Sequence, residues 1–206
     1  MGIYSEKVLP RLLNCACASK ANMRQRALVV PRAAGVVLEI GIGSGLNLPF
    51  YQPGRVKKVI GVDPSEEAWK LAQPRAEKTK IPTEFVAVSG EALPLEDNSV
   101  DSIVVTYALC TIPDAETALD RMRRVLRPGG QLFFLEHGLA PDESVRRWQN
   151  RLNSGWSRLV GGCNLNRDIP SILNQGGFDT SDLDTGYLRG IPRFAGYNFW
   201  GSAKAR

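Results

Sequence analysis

The sequence predicts an α/β fold: a seven-stranded, mostly parallel sheet with an antiparallel C-terminal hairpin at one edge and helices on both faces. Three observations predict it. The apolar run Val36-Val37-Leu38 enters a glycine-rich turn, Glu39-Ile40-Gly41-Ile42-Gly43-Ser44-Gly45. Short apolar runs then alternate with amphipathic stretches, the pattern of βαβ units. Ile103-Val104-Val105 is consecutively apolar, as a strand buried on both faces requires.

The elements follow in order. Residues 5 to 29 read as one or two helices with apolar Val8, Leu9, Leu12, Leu13 and Ala16, interrupted at Pro10. Val36 to Ile40 is the first strand. Positions 44 to 51 read as a short helix limited by Pro49 and Pro53, with its N-terminal amides facing whatever the glycine turn holds. Lys58 to Asp63 is the second strand, and a helix opens at Pro64 and runs to about Lys78 with a kink at Pro74. Thr83 to Val88 and Val100 to Tyr107 are the third and fourth strands. Ala115, Ala118, Leu119, Met122, Val125 and Leu126 share one helical face over 114 to 127, and Arg127-Pro128-Gly129-Gly130 stops that helix. Gln131 to His137 is the fifth strand, followed by helices over 142 to 159 and 168 to 175. Phe178 to Arg189 and Phe194 to Ala203 pair as the closing strands across Gly190-Ile191-Pro192-Arg193.

A chain of 206 residues with 43% hydrophobic and 23% charged residues buries enough surface for one domain without staples. The net charge of +5 is scattered, apart from Arg121/Arg123/Arg124/Arg127 and Arg146/Arg147/Arg151. These read as solvated helix faces, so no nucleic-acid partner is expected. Met1-Gly2-Ile3-Tyr4-Ser5-Glu6 lacks the features of a signal peptide and, with Glu6, the myristoylation pattern. No apolar stretch is long enough to span a membrane, and a cytoplasmic location is expected. Cys15, Cys17, Cys110 and Cys163 have neither zinc-type nor disulfide-framework spacing; they read as free thiols, and no metal is expected.

In an open α/β sheet the ligand sits beyond the carboxyl ends of the strands. After the first strand come Glu39, Gly41, Ile42, Gly43, Gly45 and Asn47. The glycines permit positive φ and close backbone approach to a ligand. A dinucleotide site wants G-x-G-x-x-G, but Leu46 stands where the third glycine would be, which argues against a pyrophosphate. After the second strand comes Asp63, followed by Pro64, at the distance where a carboxylate accepts bonds from both ribose hydroxyls of an adenosine. Ser89-Gly90-Glu91-Ala92-Leu93-Pro94-Leu95 follows the third strand and Thr106-Tyr107-Ala108-Leu109-Cys110-Thr111-Ile112 the fourth.

The stretch "VLEIGIGSGLNLPFY" resembles the first motif of class I S-adenosylmethionine (SAM) dependent methyltransferases. The segments at Asp63, at Gly90-Glu91-Ala92 and at Thr106, and Arg127-Pro128-Gly129-Gly130, resemble that family's later elements in the expected order. The resemblance implies a Rossmann-like fold, SAM as cofactor and S-adenosylhomocysteine as product. It also implies a cofactor-binding core over 36 to 137, an N-terminal helical lid or edge cover over 1 to 30, and substrate-side helices with the closing hairpin over 138 to 206, in one domain. Leu135-Glu136-His137, Trp148-Gln149, Trp156, Gly162-Cys163-Asn164-Leu165-Asn166-Arg167 and Gly176-Gly177-Phe178 resemble the methyltransferase-like seven group, animal proteins associated with thiol methylation. The N-terminal membrane anchor those proteins carry is not expected here.

Transfer from a sulfonium needs an acceptor aligned behind the methyl carbon with water excluded, and a base only where the acceptor holds its proton firmly. His137, at the end of the fifth strand, is the candidate base, and Tyr107 the next residue to line the acceptor pocket. Cys110 reads as a small buried filler. Cys163 faces the cleft or packs, and Arg167 and Asp168 pair with each other or contact the substrate. The function expected is methyl transfer to a small, fairly apolar acceptor, with a thiol as the candidate. The alternatives are C-, O- or N-methylation of a quinone, phenol or lipid headgroup, a nicotinamide-dependent oxidoreductase, and a non-catalytic SAM-binding protein. The oligomeric state is left open.

Overall fold

The computed structural model describes residues 4–206, so the readings that rest on Met1, Gly2 and Ile3 lie outside the described residues. One wide helical turn, Tyr4–Val8, leads into α1 (Leu9–Cys17) and α2 (Lys20–Val29). The core then alternates β1 (Gly35–Ile40), β2 (Val56–Val62), α3 (Glu66–Lys78), β3 (Thr83–Val86), β4 (Val100–Thr106), α4 (Ala115–Val125) and β5 (Leu126–His137). After α5 (Glu143–Leu159) and α6 (Ile169–Gln175), the chain closes with β6 (Phe178–Tyr187), a single turn α7 (Arg193–Gly196) and β7 (Tyr197–Ala205).

The strands form one seven-stranded sheet in the order β3-β2-β1-β4-β5-β7-β6. β1 to β5 pair in parallel, and β7 runs antiparallel to both β5 and β6, so the closing hairpin joins the sheet through its second strand. Strand order reverses between β1 and β4. Connections leave these neighbours in opposite directions, and a cleft opens beyond their carboxyl ends.

Consecutive strand residues feed opposite apolar layers, which makes the central strands apolar throughout. Leu38, Ile103 and Phe134 face a layer with Leu119 and Met122 of α4, Ile169 and Leu173 of α6, and Phe178 of the hairpin. Val37, Val104 and Phe133 face the other, with Val29, Val30 and Tyr51. Side-chain caps set several helix starts: Ser65 Oγ accepts from Ala68 N at the start of α3, and Asp168 Oδ1 from Ser171 N at the start of α6.

Four local expectations are corrected. Positions 41–47 form turns and only Leu48–Phe50 a 3₁₀ turn, so no α-helix follows the glycines. The two prolines that were to limit a helix leave too little room for its nucleus. β5 begins at Leu126 rather than Gln131: Val100 pairs with Leu126 and Ser102 with Gln131, so the Arg-Pro-Gly-Gly segment is a bulge within the strand. α3 starts at Glu66, with Ser65 as its cap, rather than at Pro64, while its end at Lys78 with Pro74 inside is as expected. β6 ends at Tyr187 and β7 starts at Tyr197, because a turn over 188–192 and α7 fill the residues between.

Phe178 is fully buried in the same layer as the β4 and α4 residues, so the hairpin's first strand shares the central core. Phe178→Ala should cost about 3–5 kcal/mol in a single cooperative urea transition. A loss confined to a partial early transition would show that the hairpin is a separate unit.

Candidate active site

One cavity of about 520 Å³ occupies the cleft at the carboxyl ends of β1, β2, β4 and β5. Its volume lies in the range of small-ligand sites. Of the residues expected beside a cofactor, Glu39, Gly41, Ile42, Gly43, Asp63, Pro64, Gly90, Glu91 and Thr106 line it, as do both catalytic candidates, His137 and Tyr107. Gly45, Asn47 and Ala92 do not. Gly45 has φ +72°, and a Cβ there would meet Leu48 and Ala72 at 2.8 and 2.9 Å, so this glycine serves packing of the turn on α3. The Ala92 amide closes a turn onto the Ser89 carbonyl.

At the floor lies a buried polar network. Asn47 Nδ2 donates to Glu39 Oε1 and to Thr106 Oγ1, each at 2.9 Å, and the Tyr51 hydroxyl donates to Glu39 Oε2 at 2.8 Å. Arg26 Nη1 of α2 donates to Asn47 Oδ1 and Thr106 Oγ1 at 2.6 Å, and its guanidinium lies over the Tyr107 ring. Asn47 therefore bridges a buried cation to a buried carboxylate instead of facing the cavity. Burial pushes Glu39 up from 4.5 to about 7, against the bonds from Tyr51 and Asn47 and the nearby Arg26 charge.

The glycine turn spends its amides internally. Gly41 and Ile42 donate to the Val62 carbonyl, Gly45 to that of Ile42, and Gly43 to Asp63 Oδ2 at 3.0 Å. Asp63 Oδ1 accepts from Ser65 N at 2.8 Å. Each carboxylate oxygen thus has one protein donor and a further lone pair. Burial raises the Asp63 carboxyl above its usual range, and the Ser65 and Gly43 amides offset part of this. Glu91 Oε2 is buried without a hydrogen-bond partner, at the side of the cavity where Ser89 and Gly90 also lie.

The opposite end is built by the loop after β4. Glu136, fully buried on β5, accepts three successive backbone amides: Ala108 at 2.7 Å, Leu109 at 3.0 Å and Cys110 at 3.2 Å. Burial still holds its carboxyl above the ordinary range. Tyr107 takes φ +55° to begin this turn, a conformation uncommon outside glycine and asparagine. Its hydroxyl lies 2.9 Å from Asn198 Oδ1 of β7 and 3.2 Å from Asn22 Oδ1 of α2. Burial drives the phenol well above its usual pKa, so it stays protonated. Arg167 Nη1 binds the Leu109 and Ile112 carbonyls of the same loop, while Asp168 caps α6. The expected Arg167–Asp168 pair is thus replaced by two separate tasks.

His137 Nε2 lies 3.1 Å from Cys163 Sγ, which also accepts from Trp156 Nε1 at 3.4 Å and lies 3.9 Å from Cys110 Sγ. Its bond with Cys110, together with His137 and Trp156, lowers the Cys163 thiol, while its proximity keeps the imidazole above its usual value despite burial. His137 Nδ1 is buried and unpartnered. Cys110 and Cys163 both line the cavity, so neither is mere filling. Sequence reasoning missed Arg26, which sits in an otherwise polar helical stretch, and Tyr51, which follows the 3₁₀ turn. It named Glu136 only for its resemblance. Trp156, Leu9, Leu13 and Cys17 complete the apolar wall.

A family described as methyltransferase domain matches residues 38–134. The chain is 37% identical over 150 residues to thiol S-methyltransferase TMT1A of Homo sapiens, covering 71% of this chain and 61% of that protein. It is 30% identical over 147 residues to phosphatidylethanolamine N-methyltransferase of Cereibacter sphaeroides, covering 67% and 70%. The chain thus spans about three fifths of the length of the thiol S-methyltransferase it matches. Among solved structures it resembles a geranyl diphosphate methyltransferase in complex with SAM, with TM-score 0.70 and 12% identity over 90% of this chain and 86% of that one. It also resembles the [4+2]-cyclase SpnF, with TM-score 0.67 and 18% identity over 89% and 81%. At such identity these two likenesses establish the fold. No helix among the described residues is long and apolar enough to cross a membrane.

Between 4.5 and about 7 the folded chain keeps a proton on Glu39 that the unfolded chain has lost. Stability should therefore fall as pH rises through that window, and Glu39→Gln should flatten this component of the slope. Urea midpoints of both proteins across the window check it; identical slopes would remove Glu39 as the titrating group.

Proposed function

This chain belongs to the methyltransferase domain family, and on that premise we propose that it is a SAM-dependent methyltransferase acting on a small, fairly apolar acceptor, a thiol in the first instance. The observation that carries the reading is the state of the glycine turn: the amides of Gly41, Ile42, Gly43 and Gly45 are all committed within the protein, while Asp63 retains free acceptor capacity. A pyrophosphate needs free glycine-turn amides at a helix N-terminus, whereas here those four amides are taken and no α-helix follows the turn. A nucleoside without phosphate needs a carboxylate for its hydroxyls, which Asp63 provides.

The residues fit SAM along the cavity. Asp63 would hold the ribose hydroxyls and Glu91, with its unpartnered Oε2, would take a donor of the base, while Glu39 lines the cavity at the floor. The bound cofactor supplies an electrophilic methyl group and leaves as S-adenosylhomocysteine. The chain's own work is to orient the acceptor, exclude water and remove a proton. Tyr107, with its hydroxyl engaged by Asn198 and Asn22, shapes the wall between the two ends. His137 meets the acceptor's proton: in the tautomer that donates Nε2–H to Cys163, Nδ1 keeps a free lone pair. A thiol acceptor makes the least demand on that step, because its pKa lies nearest neutrality. One domain with an N-terminal segment walling the cleft, and a cytoplasmic setting, complete the proposal.

Thermal shifts should rise with SAM and S-adenosylhomocysteine and not with NAD, and labelled-methyl turnover should favour thiols over phenols and amines. Asp63→Asn should weaken SAM binding roughly 10- to 100-fold. His137→Ala should lower kcat by about 10²-fold or more with SAM binding retained. Stabilisation by NAD alone would overturn the reading, and stabilisation by SAM without turnover on any acceptor would reduce it to a binding protein.

A further inference from the structure

Three side chains at the acceptor end come from three distant segments: Cys110 from the loop after β4, His137 from the end of β5 and Cys163 from the loop between α5 and α6. One ligand atom from each lies within 4.8 Å of the others. The Cys110 and Cys163 sulfurs are 3.9 Å apart, and His137 Nε2 is 3.1 Å from Cys163 Sγ. A tetrahedral zinc ion with Zn–S near 2.3 Å and Zn–N near 2.0 Å would set sulfurs ~3.8 Å apart and sulfur and nitrogen ~3.6 Å apart. The sulfur pair already has that spacing, and the imidazole, 3.1 Å from Cys163 Sγ and within 4.8 Å of Cys110 Sγ, would move away from the first sulfur and toward the second to take its place.

Resting on the methyltransferase reading and deepening it, we propose that Cys110, His137 and Cys163 form a Zn²⁺ centre. Its fourth position opens onto the cavity and takes the acceptor thiol. Two thiolates and an imidazole select zinc among common divalent ions, and three protein ligands with one open position mark a catalytic rather than a structural site. All three residues line the cavity, so the open position faces the acceptor. The supporting contacts are those of a built site. The Trp156 indole N–H donates to Cys163 Sγ, Thr111 Oγ1 lies 3.5 Å from Cys110 Sγ, and Glu136 fixes the Cys110 backbone amide. The two thiolates neutralise the ion, which suits an enclosed, largely apolar pocket.

On binding, an S–Zn bond forms, the S–H bond of the acceptor breaks and its proton leaves to solvent. The acceptor then stands in the cleft as a metal-bound thiolate. With the ion bound, His137 holds it through Nε2 and the ion makes the thiolate, so proton removal by Nδ1 is left to acceptors that enter without binding the metal. This division explains why the only histidine lies against a cysteine instead of a carboxylate.

The test uses the full chain, purified without chelators and kept reduced with a phosphine. Zinc per chain is measured by elemental analysis, and Co²⁺ is titrated as an optical probe. One zinc per chain is expected, with thiolate-to-cobalt absorption that changes when a small alkyl thiol is added. Cys110→Ser/Cys163→Ser should abolish the Co²⁺ spectrum while SAM still stabilises the protein. Trp156→Phe, which keeps all three ligands, should weaken the metal roughly 10- to 100-fold. Wild-type protein that is stabilised by SAM yet holds no more metal than the double-serine variant would overturn the centre and leave the methyltransferase reading standing. Loss of SAM stabilisation in metal-loaded wild type would instead strike that reading.

Discussion

The buried bridge from Arg26 through Asn47 to Glu39 is the constraint on which the cleft depends. It joins α2, the glycine turn, the end of β1 and, through Thr106, the end of β4. A guanidinium and a carboxylate removed from water are each costly, and an amide that donates to one and accepts from the other satisfies both without direct contact. Removing any member strands a charge in a low-dielectric floor. The turn between β1 and β2 is therefore held from below, and its glycines are free to shape the cavity surface above.

The same logic recurs at the other end with backbone in place of side chains. Glu136 gathers three consecutive amides that no helix or strand satisfies, so the segment after β4 can leave the sheet without orphaned donors. Arg167 performs the complementary task on the carbonyls of Leu109 and Ile112. One buried anion and one cation thus lock a loop that ordinary propensity would leave mobile. Tyr107 and Cys110 are held in place by electrostatics at the backbone.

Legibility in the sequence followed the range of the interactions. The sheet was readable because central strands are apolar on both faces, and Gly41, Gly43 and Asp63 because a turn and a carboxylate after a strand are local signals. Pro49 and Pro53 were read as helix limits, but over so few residues they exclude the helix. The Arg-Pro-Gly-Gly segment was read as a stop because its bulge is defined only by the register of β4. Asn47 has the composition of a ligand contact, yet its partner is Arg26, which no spacing rule connects to it. The spacing of Cys110, His137 and Cys163 gave no metal signature because the ends of β4 and β5, neighbours in space, lie far apart in sequence.

The polarity of the cavity is unequal along its length, and this bears on what the acceptor can be. The carboxylates Glu39, Asp63 and Glu91 lie on one part of its lining, whereas Leu9, Trp156 and Val160 line it together with Cys110, His137 and Cys163, where no carboxylate faces the cavity. A charged or strongly hydrated acceptor would lose its solvation there and meet no opposite charge to replace it. A neutral thiol gives up little on entry. The selectivity proposed for this chain thus follows from where its cavity withholds polar groups as much as from where it supplies them.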